Sequence, residues 1–476
     1  MVDDIEQKDV AQAGLISQPV ATIENNIFVI YGNKDPAHGF SISNDKLRKI
    51  LVHESFFQRL PSMTLELNDI GSYFHSVGFQ IGNSIFVSIT PALDSGIDVK
   101  PYIDAEFIIE SIEYALDQDN NSYYYILKCT LAAEKYLNDI FVWPKDDSGT
   151  SLNRSKAFTS TEVLRACITH AGLQFTSSVD SNDTMPWLNA SLCHADFADK
   201  IVSHAWISDD DMPLLYIDKN GLATYTSINK LCEGATVSNF IQVSTYQKLH
   251  DETKGTEENA KPTPYKAYES LRYVNAGFIQ NQGGYGIKAK IFNPYNVEQI
   301  NPIKFPVMVT KNLITGKMPS VNETCFREKE FHDTGKSNKM RLGTISNKSQ
   351  TQLENIRYNT VAFHFDGTHE YYDYAPMHHE SIKRSFYQQF VFMTIDTVNQ
   401  PFIDPKGEAI IRLGQRISID PATVNNQQTI AAGDYLVAGL THTFYTSSKY
   451  TIMATCVSDG INGVSEIKQS KNTQQG

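Results

Sequence analysis

The densest group of metal-capable side chains in the sequence lies at His364, His369-Glu370 and His378-His379-Glu380, with Asp366 and Asp373 close by. Hydrolytic zinc chemistry needs two histidines one turn apart on a helix. Here Asp366-Gly367, a turn signal, interrupts the run between His364 and His369, and strand formers surround it. Solvated loop histidines account for the cluster better than a metal centre does.

Phosphate and calcium chemistry fare no better. Gly335-Lys336-Ser337 matches the end of a P-loop, but Glu330 stands where the loop needs its first glycine, and no strand and helix flank it. Gly284-Tyr-Gly286-Ile-Lys-Ala289 fits a dinucleotide fingerprint formally, yet it runs into Pro294 instead of opening a helix. Asp209-Asp-Asp211 and Asp117-x-Asp119 lack the glycine and distal glutamate of an EF-hand loop. No G-x-S-x-G elbow occurs, no Cys/His pair stands out by spacing, and nothing points at a glycosidase carboxylate pair. No catalytic, cofactor-binding or metal-binding residue is therefore assigned, and no cofactor is expected.

The elements that would have to position any site are those of a large acidic chain. With 476 residues, three or four folding units are expected. Hydrophobic residues at 41% against 20% charged, with 24 Tyr and 25 Phe, place it among globular chains. The net charge of 41 − 54 = −13, without a lysine or arginine block, argues against specific nucleic-acid binding. The longest apolar runs, such as Ile27 to Tyr31 and Phe390 to Ile395, have strand length, so no membrane span is expected. The acidic start, Met1 to Glu6, is unlike a secretory signal, and the six scattered cysteines form no framework; both point to synthesis in a cytoplasm and to buried thiols.

Periodicity divides the chain into six parts. Residues 1–20 read as a flexible arm and 21–145 as a first β-barrel domain, with strands at Ile27 to Tyr31, Thr64 to Leu67, Ile85 to Ile89, and a hairpin of Phe107 to Tyr114 with Tyr123 to Leu131. Residues 146–240 read as a small α/β domain, with helices over Ser160 to Gly172 and His194 to Ala205, then a hairpin turning at Asp218-Lys-Asn-Gly221. Residues 241–376 read as a loop-rich insertion. Residues 377–463 form a second β-barrel domain, with strands at Phe386 to Val398, Ala409 to Ile419, Asp434 to Phe444 and Tyr450 to Val457, and 464–476 a polar tail. The fold class is thus mainly β with α+β insertions, built on two similar small antiparallel barrels.

Three stretches in serial order carry a family resemblance. The first is His53-Glu-Ser-Phe-Phe57 running into Leu60 to Asp69, then Gly82-Asn83-Ser84-Ile85. The second is Phe107 to Ile112 and Tyr125 to Glu134, then Ser160 to Leu164 and Trp187 to Gly221. The third is Ser385-Phe386 with its strand, Leu413-Gly-Gln-Arg-Ile-Ser-Ile419, Gly433 to Val437, His442-x-Phe444, Tyr450 and Asp459-Gly460. Together they resemble the central hub proteins of phage tail baseplates, a fold shared with the N-terminal part of type VI secretion spike proteins. Residues 240–375 match nothing in that pattern.

The resemblance implies a non-catalytic homotrimer in the virion, made in the host cytoplasm. Two barrels per chain would form a ring that meets a six-fold tail tube on one side, a three-fold central spike on the other, and lets DNA pass. Baseplate wedge or tape measure proteins are further expected neighbours. Two alternatives are a tail-associated glycan hydrolase and a tail-tip carbohydrate or receptor binder; the latter is weakened by a supply of only three tryptophans, Trp143, Trp187 and Trp206.

Overall fold

The computed structural model describes residues 25–32, 39–69, 77–91, 100–117, 122–143, 157–208, 211–234, 236–242, 265–273, 289–292, 360–363, 368–369, 371–372, 375–386, 389–396, 411–420, 433–445 and 450–458. The expected arm at 1–20, the tail at 464–476 and most of 241–376 lie outside them.

The first β-module holds β1 (Asn25–Tyr31), β2 (Phe40–Ile42), β3 (Leu47–Ser55), β4 (Ser62–Asn68), β5 (Ser84–Pro91), β6 (Ile103–Asp117) and β7 (Ser122–Leu131). They lie in the order β3-β4-β7-β6-β5-β1-β2, all antiparallel. Strict alternation explains the packing: Met63, Leu65 and Leu67 on β4 face Leu127 and Cys129 on β7, and all are buried. The β6–β7 hairpin forms as the sequence predicts, pairing from Phe107↔Leu131 to Asp117↔Ser122 with a register shift between Ile109 and Ser111.

A short helix α1 (Glu134–Asn138) leads into the α/β unit of α2 (Ser160–His170), β8 (Gln174–Ser177), α3 (His194–His204), β9 (Pro213–Ile217), β10 (Leu222–Ser227) and α4 (Ile228–Cys232). Helix α2 starts where a capping residue is available. Thr159 Oγ1 accepts from the Glu162 amide at 3.3 Å, and the Glu162 carboxylate accepts from the Thr159 amide at 2.8 Å. It stops at Gly172, whose φ of +88° lets Leu173 N–H reach back to Ile168 O. Buried Val163, Leu164, Cys167 and Ile168 pack against Phe197, Ala198 and Ile201 of α3.

Beyond it come β11 (Thr236–Gln242), β12 (Tyr265–Tyr273), β13 (Ala289–Phe292), β14 (Thr360–Phe363), α5 (Ala375–Phe386), β15 (Gln389–Asp396), β16 (Arg416–Asp420), β17 (Gly433–Tyr445) and β18 (Tyr450–Ser458). Strands β16-β11-β12-β15-β18-β17 follow one another, and β17 pairs back to β16, which closes a six-stranded ring. The ring draws β11 and β12 from well before residue 377. Strand β11 runs parallel to both its neighbours, which the long 243–264 connection permits. The strand expected from Ala409 begins only at Arg416, because Gly414 with φ +80° turns the chain first.

The fold is thus mainly antiparallel β, with both β-modules in one 13-stranded sheet. Strand β17 joins them. Its first residues, Gly433 to Leu436, pair with β16; from Gly439 to Tyr445 the same edge pairs with β3, while β18 holds the opposite edge. The handover falls at a register shift between Val437 and Gly439.

Candidate functional site

The handover point is also where the α/β unit meets both β-modules. On β3 the inward stripe Ile50, Val52 continues into Glu54, which puts a carboxylate where a core residue belongs. On β17 the stripe Leu440, Phe444 is interrupted by His442 in the same way. Both polar side chains are only 1% exposed, so each needs a partner.

Those partners come from a third element. In the β9–β10 turn, Asp218 Oδ1 accepts from the amides of Asn220 and Leu222, both at 2.9 Å, and Gly221 takes a φ of +82°. The fixed turn delivers Lys219, whose backbone N–H donates to Glu54 Oε2 at 2.8 Å and whose Nζ lies 3.4 Å from Oε1. His442 Nε2 donates to Oε1 at 3.1 Å, which leaves Nδ1 to accept from the Tyr450 hydroxyl at 2.8 Å. Burial by itself would raise the Glu54 carboxyl, but the Lys219 ammonium and the His442 contact hold it at about 2. Burial and the Lys219 charge lower His442, so the imidazole stays neutral. Burial raises Tyr450 far above its ordinary value.

Further contacts fasten the same junction. Asn220 Oδ1 accepts from the Asp104 amide of β6 at 3.0 Å, and Arg416 Nη1 donates to Cys232 O of the α/β unit at 3.0 Å. A cleft of about 290 Å³ opens beside the network between Glu54, Tyr102, Tyr216, Lys219, Arg412 and Leu413, with one wall from each of the three units. Chemically the network is saturated. Both carboxylate oxygens of Glu54 are occupied, and the groups around it hold strands together instead of presenting a nucleophile.

The described histidines of the cluster are packed, not solvated loop residues as the sequence led one to expect. His369 Nε2 donates to His204 O at 3.0 Å and its Nδ1 accepts from the Tyr371 amide at 3.2 Å, so backbone groups occupy both ring nitrogens. His378 and His379 are buried on α5, where burial pulls His379 down to about 3. His364, Asp366, Glu370 and Asp373 lie outside the described residues, as do Glu330, Gly335 to Ser337, Gly284 to Gly286, Asp119 and Asp209 to Asp210. Among the described residues no three His, Cys, Asp or Glu side chains are grouped to hold a metal. Asp211 is buried and accepts from the Met212 and Asn229 amides. Trp143, Trp187 and Trp206 are buried, so none of the three forms an exposed platform for a sugar. No described helix is long and apolar enough to cross a membrane.

Sequence reasoning named His53-Glu54, Asp218 to Gly221 and His442 only as parts of motifs. Their union spans 165 and 388 residues along the chain. The legible signal was a charged residue on the apolar face of a period-two strand.

No protein-family model matches the chain, and no curated protein does. Solved structures similar to it include the tail protein from Neisseria meningitidis MC58, at 9% identity and a TM-score of 0.47, covering 92% of this chain and 98% of that one. The 43 kDa tail protein of prophage MuSo2 from Shewanella oneidensis is similar at 11% identity and a TM-score of 0.47, covering 91% and 98%. A Francisella PdpA–VgrG complex is similar at 9% identity and a TM-score of 0.39, covering 96% of this chain and 61% of that one.

Proposed function

We propose that the chain is a structural hub of a phage tail baseplate, a non-catalytic adaptor between tail tube and central spike that acts as a homotrimer. The observation that carries this reading is the division of β17 between two partners, which sets two β-modules side by side in one polypeptide. A closed ring needs repeated surfaces. Three copies with two modules each would offer 3 × 2 docking positions to a six-fold tube, while the other side keeps three-fold symmetry for a spike.

The buried junction suits that task. An adaptor has to hold its two modules at one fixed spacing, and a saturated network of Glu54, Lys219, His442 and Tyr450 at the seam resists shear better than apolar contact alone. The motif order across residues 53–69, 107–221 and 385–460 agrees with the reading. The net acidic character of the chain would repel DNA in a lumen instead of retaining it.

Native mass tests the assembly. A chain of 53.5 kDa should run as a trimer of about 160 kDa. A chain that remains a single copy at high concentration, or that forms an even-numbered oligomer, would contradict the proposal.

A further inference from the structure

Two histidines outside the Glu54 network meet where the chain leaves the first β-module for the α/β unit. His170 closes α2 and is exposed, while His194 opens α3 and is fully buried. His170 Nδ1 and His194 Nε2 lie 2.9 Å apart. The ring centres are 5.2 Å apart and the planes 17° apart, close to the largest separation that such a contact allows between two five-membered rings. The two nitrogens therefore face each other along the line of centres, as in a straight hydrogen bond. A metal ion on that line, about 2.0–2.1 Å from each nitrogen, would hold them about 4 Å apart. The contact is too short for that.

The hydrogen can be placed. The carbonyl of Asp139, which caps the end of α1, accepts from the His194 amide at 3.1 Å and from His194 Nδ1 at 2.7 Å. A carbonyl only accepts, so Nδ1 carries the hydrogen of the neutral ring and Nε2 presents a lone pair. His170 Nδ1 donates to it. A proton added at His170 Nε2 leaves this chain of bonds intact, and a cation there suits the C-terminal end of α2. A proton added at His194 Nε2 does not. Two N–H groups would then point at each other, and the new charge would sit buried at the N-terminal end of α3, where the helix opposes it.

The surroundings add little relief. Facing His194 are Asp139 from the end of α1, His170 from α2 and the Phe141 ring at 5.5 Å, while Cys167 Sγ donates to its carbonyl at 3.5 Å. Burial lowers His194 from its ordinary value and the His170 charge lowers it further, against the Asp139 carbonyl and carboxylate. A lowered imidazole contributes fully above pH 6.5, and its contribution is lost as pH falls below that. The same segment is pinned on through the Phe141 amide to Leu192 O at 3.3 Å and the Ile140↔Cys193 bridge.

We infer that His170 and His194 form an acid-sensitive clasp, which holds Asp139 to Phe141 against α2 and α3 at neutral pH and releases that segment when both rings are protonated. The clasp lies within one chain and does not depend on the oligomeric reading.

Amide hydrogen exchange of the full chain, corrected for its intrinsic rate, tests this at pH 7.5 and pH 5.0. Protection of the Asp139, Phe141 and His194 amides should fall about ten-fold further in acid than that of the β4 and β7 amides, and should return at pH 7.5. His170→Asn removes one charge and leaves an amide that can turn to donate to His194 or accept from it. In that variant, which should match the native chain at pH 7.5 because His170 is exposed, the extra fall should shrink to within about two-fold. An equal fall in all these amides of the native chain overturns the inference. So does an extra fall that His170→Asn retains in full, or one that does not return at pH 7.5.

Discussion

Glu54 is the residue on which the junction turns, because its carboxylate pairs with both Lys219 Nζ and His442 Nε2. In Glu54→Gln the buried Lys219 ammonium loses its counter-charge, which costs about 3–5 kcal/mol. Equilibrium unfolding in denaturant should show that loss. The same change at exposed Glu113, paired with Lys128, should shift stability by under about 1 kcal/mol. Acid should act through the same groups. Glu54 is held at about 2 against its ordinary 4.5, so its contribution is complete above pH 4.5 and is lost as pH falls toward 2. His442 and His379 are both lowered from 6.5, so the unfolded chain takes up protons that the folded one refuses, and stability falls as pH drops below 6.5. Asp183 and Asp218, which burial pushes up, act in the opposite sense, favouring the fold at low pH. For His379 the loss between pH 7 and pH 5 is about 2 kcal/mol. The melting curve of His379→Leu should accordingly be flatter over that range than that of the native chain; equal slopes would show that this imidazole does not govern acid sensitivity.

At the scale of elements, local chemistry settles what forms and a few glycines settle what can touch. Gly414 has a φ of +80°, and a Cβ there would sit 3.0 Å from Leu231 Cδ2 and 3.1 Å from the Tyr216 hydroxyl. Gly414→Ala should therefore cost more than the ~1 kcal/mol of the left-handed backbone alone, and the loss should appear as a lower melting temperature. If the variant melts like the native chain, the turn at 412–415 is not pressed against the α/β unit as described. What was legible at this scale was what neighbours in sequence dictate. The apolar period and closing glycine of Ser160 to Gly172 predict α2, while the cap itself, Thr159 with Glu162, comes only from the structure; the alternation of β6 and β7 predicts their pairing. Strands β11 and β12 were not legible in the same way. They are completed by parallel and distant partners, and nothing in Thr236 to Gln242 says that its neighbours will be Tyr265 to Tyr273 and Arg416 to Asp420. The Glu54 network escaped for the same reason, since β3, β17 and the β9–β10 turn lie far apart in the sequence and meet only in the fold. A carboxylate on the stripe Ile50, Val52, Glu54 was visible, but not the lysine that neutralises it.

At the scale of the whole molecule, a single sheet carries both β-modules, and the α/β unit is wedged against their seam through Lys219 and Asn220. A molecule built this way presents two surfaces at a fixed spacing. We propose that a three-fold axis repeats that geometry. Averaged electron-microscope images of the assembled oligomer, viewed down its axis, test it most directly. Six densities of equal weight, two from each chain, are expected at one radius around a hollow centre. Three densities at that radius, with the second β-module of each chain displaced from the ring, would contradict it.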